Sequence, residues 1–303
     1  MNKVLIVSRQ QATYRQLIKQ AQLPSLEITD DPKQASIILA DPPKIARQLD
    51  DCPALRWLQS TFAGIDALIK PELRQDYQLT NIRGHFGQLI AEYVIGLTLN
   101  HTRHFSLYHA QQHAGVWQPQ PYCSLTSQTM VILGTGSIGS HLAQVASTLG
   151  IKVIGVNRSG ISDTTAFDQV YSLSNLTNAL AMATIVVSTL PATLNTDQLL
   201  NAGTLAHCNN VLLFNVGRGN ALCEHGLLGA IDTNSVQHAF LDVFNQEPLA
   251  QNHPFWEHDK ITVTPHIAAE SFPEQVFDIF RDNYLRFIAN QPLHCKVDFD
   301  KGY

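Results

Sequence analysis

Three glycines, Gly134, Gly136 and Gly139, stand at GxGxxG spacing within Gly134-Thr135-Gly136-Ser137-Ile138-Gly139. The chemistry this spacing serves is anion binding by backbone. The first glycine permits a tight turn, the second lets the chain approach a pyrophosphate, and the third lets a helix pack closely on a strand. Ser137 and Ile138 open that helix, where unpaired N–H groups and the helix dipole favour a phosphate's negative charge. About 20 residues further on, an acidic residue ordinarily binds the ribose 2′-hydroxyl of NAD. This chain instead reads Asn157-Arg158-Ser159. Arg158 is a planar, permanently charged donor suited to a 2′-phosphate, and Ser159 adds a hydroxyl. The pattern favours NADP; the alternative is NAD beside a solvated surface arginine.

The elements that must position these residues are legible around them. An apolar run at 130–133 leads into the glycines, and Leu142, Val145, Ala146 and Leu149 then recur at helical spacing before Gly150. Residues 151–156 read as a second strand, buried on both faces of a parallel sheet. Upstream, strands are expected at 3–8, 36–40 and 55–59 and a helix at 14–21. Residues 60–66 are expected to form a strand-to-helix turn. There the small Ala63 and Gly64 leave backbone N–H groups approachable, although their types alone favour a plain helix start. Downstream, strands are expected at 185–189, 211–215, 238–243 and 261–264. Polar clusters end each of them: Thr189 to Pro191, Asn215 to Gly219, Asp242, and Pro265-His266. In an open parallel sheet ligands bind beyond the carboxyl ends of strands, so these clusters are expected to share one crevice. The alternation of strand and helix predicts a doubly wound α/β fold.

The apolar segment at 90–99 predicts a helix that runs on through polar residues to about Gln112. It carries His101, His104, His109 and His113, but no acidic residue among them supplies a HExxH-type base, so no metal site is expected. Residues 115–127 read as a loop in which Trp117, Pro119, Pro121 and Tyr122 offer rigid, partly apolar contacts. A subunit contact and packing on its own domain both fit this loop.

The whole chain has 303 residues, room for two domains, and is 45% apolar and 15% charged. Its net charge of −5 argues against a broad nucleic-acid footprint. No apolar run reaches the length of a membrane span, and the run after Lys3 is too short for a signal-peptide core, so a cytoplasmic location is expected. Five scattered cysteines without a CxxC pair imply ordinary reduced thiols.

Four motifs in register, GTGSIG, NVGRG, LDVFNQEPL and TPHIAA, resemble those of the D-isomer-specific 2-hydroxyacid dehydrogenases. The likeness covers nearly the whole chain. It is nearest to the glyoxylate/hydroxypyruvate reductases, down to HPFWEH and the terminal VDFDKGY. This chain has Ala40 where that group carries a tryptophan before its Pro-Pro pair. The resemblance implies two doubly wound parallel-sheet domains with the active site in the cleft between them. A flavodoxin-like substrate domain would comprise 1–98 and 272–303, and a Rossmann-like NAD(P)-binding domain 99–271. It also implies hydride transfer from NADP, or from NAD, to a small 2-keto acid, giving the D-2-hydroxy acid. Arg218, Glu247 and His266 correspond to the family's catalytic trio: a forked cation for carboxylate and ketone, an orienting carboxylate, and the proton donor. Ala63, Gly64, His85 and Arg218 are implied substrate contacts. The implied cofactor set comprises the fingerprint residues with Asn157, Arg158 and Ser159, Thr189 and Pro191 along the adenosine half, Val216, Gly217 and Ala268, and Asp242 at the nicotinamide carboxamide. A helix N-cap is the alternative role for Asp242. A homodimer is the expected assembly, with no nucleic acid or membrane as partner. Two other functions stay open: a phosphoglycerate dehydrogenase-like or related 2-hydroxyacid activity, and a dinucleotide-sensing binding protein without turnover, like the C-terminal-binding-protein corepressors of the same superfamily.

Overall fold

The structure is a computed structural model that describes residues 1–162 and 164–299. Of the terminal VDFDKGY run, residues 300–303 lie outside the described residues.

In chain order the elements are β1 (Asn2–Val7), α1 (Gln11–Ala21), β2 (Leu26–Ile28), β3 (Ile37–Ala40), α2 (Pro42–Ile45), β4 (Trp57–Ser60) and β5 (Gln78–Thr80). Next come α3 (Phe86–Thr102), α4 (Phe105–Ala114), β6 (Thr129–Leu133), α5 (Ser137–Thr148), β7 (Lys152–Asn157), β8 (Gln169–Ser172) and α6 (Leu176–Leu180). The chain continues through β9 (Ile185–Ser188), α7 (Ala202–Leu205), β10 (Val211–Asn215), α8 (Glu224–Asp232), β11 (Val236–Leu241), β12 (Ile261–Val263) and α9 (Pro273–Ile288). Two compact units result, one of residues 1–85 with 271–303 and one of 86–270.

The first unit is a five-stranded sheet in the order β2-β1-β3-β4-β5, every pair parallel, which is the flavodoxin-like order. α9 returns to it through an amphipathic face: Phe280 stacks on Trp57 at 5.2 Å, and the Tyr284 hydroxyl donates to the Pro24 carbonyl at 2.6 Å. No regular helix follows β4 where the turn at 60–66 predicted one. Residues 66–68 make a single turn, and Pro71 then disfavours helical backbone before it.

The second unit is a seven-stranded parallel sheet in the order β12-β11-β10-β9-β6-β7-β8. The order reverses at β6 and β9, as in dinucleotide-binding folds. Alternation along β6 shows why both faces are covered. Val131 and Leu133 face the core shared with α6, α7 and α8, whereas Met130 and Ile132 face the core shared with α3 and α5. That second core also explains where the unit begins. Ile90, Ala91, Val94 and Ile95 bury the apolar side of α3 among α5 residues, so α3 lies wholly in this unit and the boundary falls after His85 rather than at 98.

The helix expected to run from 90 to 112 is two helices. His104 adopts a left-handed backbone, φ 57°, between α3 and α4. The guanidinium of Arg103 sits 4.2 Å from the Tyr122 ring centroid and His104 Nε2 bonds the Pro121 carbonyl at 2.9 Å, so the following loop braces the break. Among the described residues, no helix is long and apolar enough to cross a membrane.

Candidate active site

Sheet register brings the polar clusters of the second unit into one row. Leu133 pairs with Ser188, Ser188 with Asn215, Asn215 with Leu241, and Leu241 with Val263. The residues just beyond that row, Gly134, Thr189, Val216, Asp242 and Thr264, therefore leave the same edge of the sheet.

At one end of the row is the glycine turn. Gly134 has φ +103°, a conformation that L side chains rarely adopt, and a Cβ at Gly139 would overlap the Gly134 carbonyl oxygen. A Cβ at Gly136 would meet open space instead. Gly136 is the N-cap of α5 without a side-chain cap, and the helix has no acidic residue in its first turn. The amides of Ser137 and Ile138 have no partner among the described residues. An uncapped helix start facing open space across a glycine fits a pyrophosphate.

Asn157, at the end of β7, is spent on structure. Its Nδ2 donates to Thr135 Oγ1 at 2.8 Å and to the Ile161 carbonyl, and its Oδ1 accepts from the Ser159 and Gly160 amides at 3.0 and 2.7 Å. This clamps the loop against the glycine turn and leaves Arg158 exposed, with no ion-pair partner among the described residues. Thr189 Oγ1 donates back to the Leu133 carbonyl at 3.0 Å, and the Pro191 carbonyl accepts from Thr196 Oγ1 at 2.6 Å. Thr189 thus lies beside the glycine turn, and Pro191 follows it two residues on.

The other end of the row carries Arg218, Glu247 and His266. Asn215 Nδ2 donates to the Arg218 carbonyl at 3.0 Å and so folds the NVGRG turn, with Val216 and the buried Gly217 inside it. Gly219 is packed against the Phe244 and Asn245 backbone too closely for any Cβ, which seats Arg218 against the loop bearing Glu247. Glu247 Oε1 accepts the Phe244 amide at 3.0 Å, and Oε2 lies 2.8 Å from His266 Nδ1. With Nδ1 taken by the carboxylate, the proton there belongs to the histidine, and Nε2 points away from Glu247. The Glu247 hydrogen bond holds the His266 pKa above the ordinary histidine value, against the opposing effects of burial and the Arg218 charge. For Glu247, burial pushes the carboxyl up, but the His266 hydrogen bond, the Phe244 amide and the nearby cations outweigh it and hold the group low. The site can therefore keep an imidazolium beside a guanidinium because a carboxylate stands behind the ring.

Asp242 is not a helix N-cap, for no helix follows it. It is almost wholly buried and its carboxylate organises the turn that carries His266. Oδ1 accepts from Thr264 Oγ1 at 2.6 Å and the Ile267 amide at 2.8 Å, and Oδ2 accepts the Ala268 amide at 2.9 Å. One acceptor position of Oδ2 is left over for an N–H such as a carboxamide's. Thr264, and Tyr93 bonded to it at 2.7 Å, were not legible as site residues: Thr264 opens the TPHIAA motif but is an ordinary residue type beside His266, and Tyr93 lies in no motif.

Ala63, Gly64 and His85 belong to the first unit. Ser60 Oγ accepts the Phe62 amide at 2.9 Å and donates to the Phe62 carbonyl, and Asn81 Nδ2 holds the Ala63 carbonyl at 2.8 Å. The Ala63 and Gly64 amides have no partner among the described residues. Among the described residues no group of three or more potential metal ligands assembles, at the four histidines near the α3–α4 break or elsewhere. The His101 ring lies tilted at 5.1 Å from that of His238, while His109 and His113 bond each other at 3.2 Å on the exposed side of α4.

Residues 95–268 match the family described as D-isomer specific 2-hydroxyacid dehydrogenase, NAD binding domain. Glyoxylate/hydroxypyruvate reductase A of Serratia proteamaculans is 30% identical over 95% of this chain and 94% of its own length. Among solved structures, a D-isomer specific 2-hydroxyacid dehydrogenase family protein from Aeromonas salmonicida is 46% identical, covers 99% of both chains and superposes with a TM-score of 0.94. A D-isomer specific 2-hydroxyacid dehydrogenase from Xanthobacter autotrophicus in complex with NADPH and MES is 27% identical over 100% of this chain and 99% of its own, with a TM-score of 0.89. With a dinucleotide cradle and an Arg, Glu and His group on one sheet edge, the chain belongs to the D-isomer specific 2-hydroxyacid dehydrogenase family, the NAD(P)-dependent enzymes of that chemistry.

Proposed function

We propose that the protein is an NADPH-linked reductase of small 2-keto acids of the glyoxylate or hydroxypyruvate type, forming the D-2-hydroxy acid. The observation that carries the reading is the 2.8 Å pair of Glu247 and His266 beside Arg218, at the sheet edge that also carries the glycine turn. When bound, the nicotinamide supplies the hydride. His266, whose contact with Glu247 favours the charged form, presents an Nε2 proton to the developing alkoxide. Arg218 offers a fork to the acid's carboxylate and carbonyl oxygen, polarising the ketone. In the first unit, the Ala63 and Gly64 amides are assigned to carboxylate recognition, with His85 tuning the substrate.

NADP is favoured over NAD because the end of β7, Asn157-Arg158-Ser159, offers an exposed Arg158 and no carboxylate among its described residues, and Ser159 stands beside it. The Xanthobacter relative was solved with NADPH, which supports the same choice. Glyoxylate and hydroxypyruvate are favoured by the name of the Serratia relative. The assembly inferred is a homodimer through α4 and the loop after it. No α4 residue is buried, Trp117 is 98% exposed, and Phe105, Val116 and Tyr122 are exposed with it. The five free cysteines suit a reducing compartment such as the cytoplasm.

The test is steady-state NADPH oxidation with glyoxylate, hydroxypyruvate, pyruvate and longer 2-keto acids. Turnover is expected to be highest with the two smallest polar acids. No turnover with any of them would overturn the reductase reading and leave a dinucleotide-binding protein.

A further inference from the structure

We propose that Tyr93 and Thr264 are positioning residues for His266, acting through Asp242 along a directed chain of hydrogen bonds from α3 to the His266 turn. The inference rests on the assignment of His266 as proton donor, and extends it to residues outside the trio.

The direction of the chain follows from proton count. Asp242 is buried and its two oxygens accept the Ile267 and Ala268 amides, the acceptor-only role of a carboxylate, and as such it accepts from Thr264 also. Thr264 Oγ1, 2.6 Å from Asp242 Oδ1, must spend its single proton there. The Tyr93 hydroxyl, 2.7 Å from Thr264 Oγ1, is then the donor to Thr264. Burial, ahead of the effects of Thr264 and Asp242, pushes the Tyr93 phenol up to about 12, so that proton stays in place through the neutral range.

What the chain holds is strained. His266 is a non-glycine residue at φ 55°, and its amide is shared between the Asp242 and Thr264 carbonyls at 3.0 and 3.1 Å. The backbone on both sides of His266 is thus tied to Asp242 or Thr264: Thr264 before it, Ile267 and Ala268 after it. Tyr93 ties that assembly to a helix whose neighbouring residues lie in the unit's core. Such support over-determines the left-handed residue and fixes where the ring meets Glu247. The charged groups facing the ring are Glu247, Arg218 and Asp242. Of these only the Glu247 contact depends on ring placement at hydrogen-bond range.

The experiment compares Thr264→Val, Thr264→Ser and Tyr93→Phe. The His266 ring is followed by proton NMR in the unliganded protein, its resonance assigned by loss in His266→Asn, and kcat is measured against pH. Thr264→Val removes the donor to Asp242, and is expected to lower the His266 pKa toward 6.5 and kcat about tenfold, the size of one lost hydrogen bond to a charged group. Tyr93→Phe should act in the same direction, with a loss of about threefold. Thr264→Ser keeps both bonds and should restore pKa and kcat. An unchanged His266 pKa in folded Thr264→Val and Tyr93→Phe overturns the proposal, and if Thr264→Val fails to fold, Tyr93→Phe decides alone. A lowered pKa with undiminished kcat would support the positioning role while overturning His266 as the proton donor.

Discussion

Glu247 holds His266 with one carboxylate oxygen and the Phe244 amide with the other, so a single side chain fixes both its own loop and the ring it faces. Glu247→Gln keeps the shape and removes the charge. In the proposed reduction the donor is protonated His266, whose folded pKa lies above 6.5 chiefly because of Glu247. Rate should therefore fall as pH rises through that raised value. In Glu247→Gln the fall should begin at lower pH, because the protonated form is lost earlier. His266→Asn should lower kcat about 10² to 10⁴-fold at every pH. An alkaline limb that stays put in Glu247→Gln would sink the assignment.

Gly136 and Gly139 separate binding from folding. A Cβ at Gly139 overlaps the Gly134 carbonyl, so Gly139→Ala should lower Tm by several degrees, a loss of a few kcal/mol being typical of overpacking. Gly136→Ala adds a methyl to open space at a φ that alanine tolerates, so Tm should hold. The methyl would stand where backbone approaches pyrophosphate, and KM for NADPH should rise about tenfold or more. Equal Tm losses in the two variants, with KM unmoved in Gly136→Ala, would show that the open space is not a phosphate site.

The contrast between those glycines shows what the residues disclosed in advance. The strand, turn and helix around Gly134 could be read because glycine spacing and apolar period both speak there. Strands β2 and β5 could not, since three residues are too few to show a period of two and, unlike Ile261-Thr262-Val263 of β12, neither is a β-branched run. The break at His104 was hidden because neither glycine nor proline marks it; contacts with Pro121 and Tyr122 supply the reason, and these are tertiary. Arg218, Glu247 and His266 were carried by motif. The Tyr93–Thr264 bond spans 171 residues and involves two ordinary residue types, so only the fold could bring it to light.

His238 lies on β11 with Nε2 2.8 Å from Thr262 Oγ1 and its ring 5.1 Å from that of His101. Burial first, then the His101 and His258 charges, push its pKa down from 6.5 to about 4. Between those two values the unfolded chain binds the proton and the folded chain does not. Stability therefore declines as pH falls from about 6.5 to about 4. His238→Gln retains a partner for Thr262 and cannot charge. Its Tm should decline less over this window than that of the parent, and matching declines would mean that His238 is not what titrates.

The proposed preference for NADPH rests on the end of β7. Arg158 is exposed next to Asn157, whose side chain is fully engaged in the turn and cannot swing out to a ribose hydroxyl. Among the described residues at this strand end, a 2′-phosphate would meet the Arg158 cation and no opposing carboxylate, so kcat/KM should favour NADPH over NADH. Arg158→Asp reverses the local charge and supplies an acceptor for the 2′-hydroxyl. It should cut kcat/KM for NADPH by about 10²-fold or more, the scale of a lost charge-assisted hydrogen bond joined by a repulsive charge, and leave NADH unchanged or improved. Arg158→Gln, neutral and still a donor, should fall between the two. High salt should narrow the parent's preference, because an exposed ion pair is screened over about 8 Å at physiological strength and more closely above it. If the parent uses NADH as well as NADPH and Arg158→Asp alters neither, Arg158 is a solvated surface residue and the 2′-phosphate is not read at this strand end.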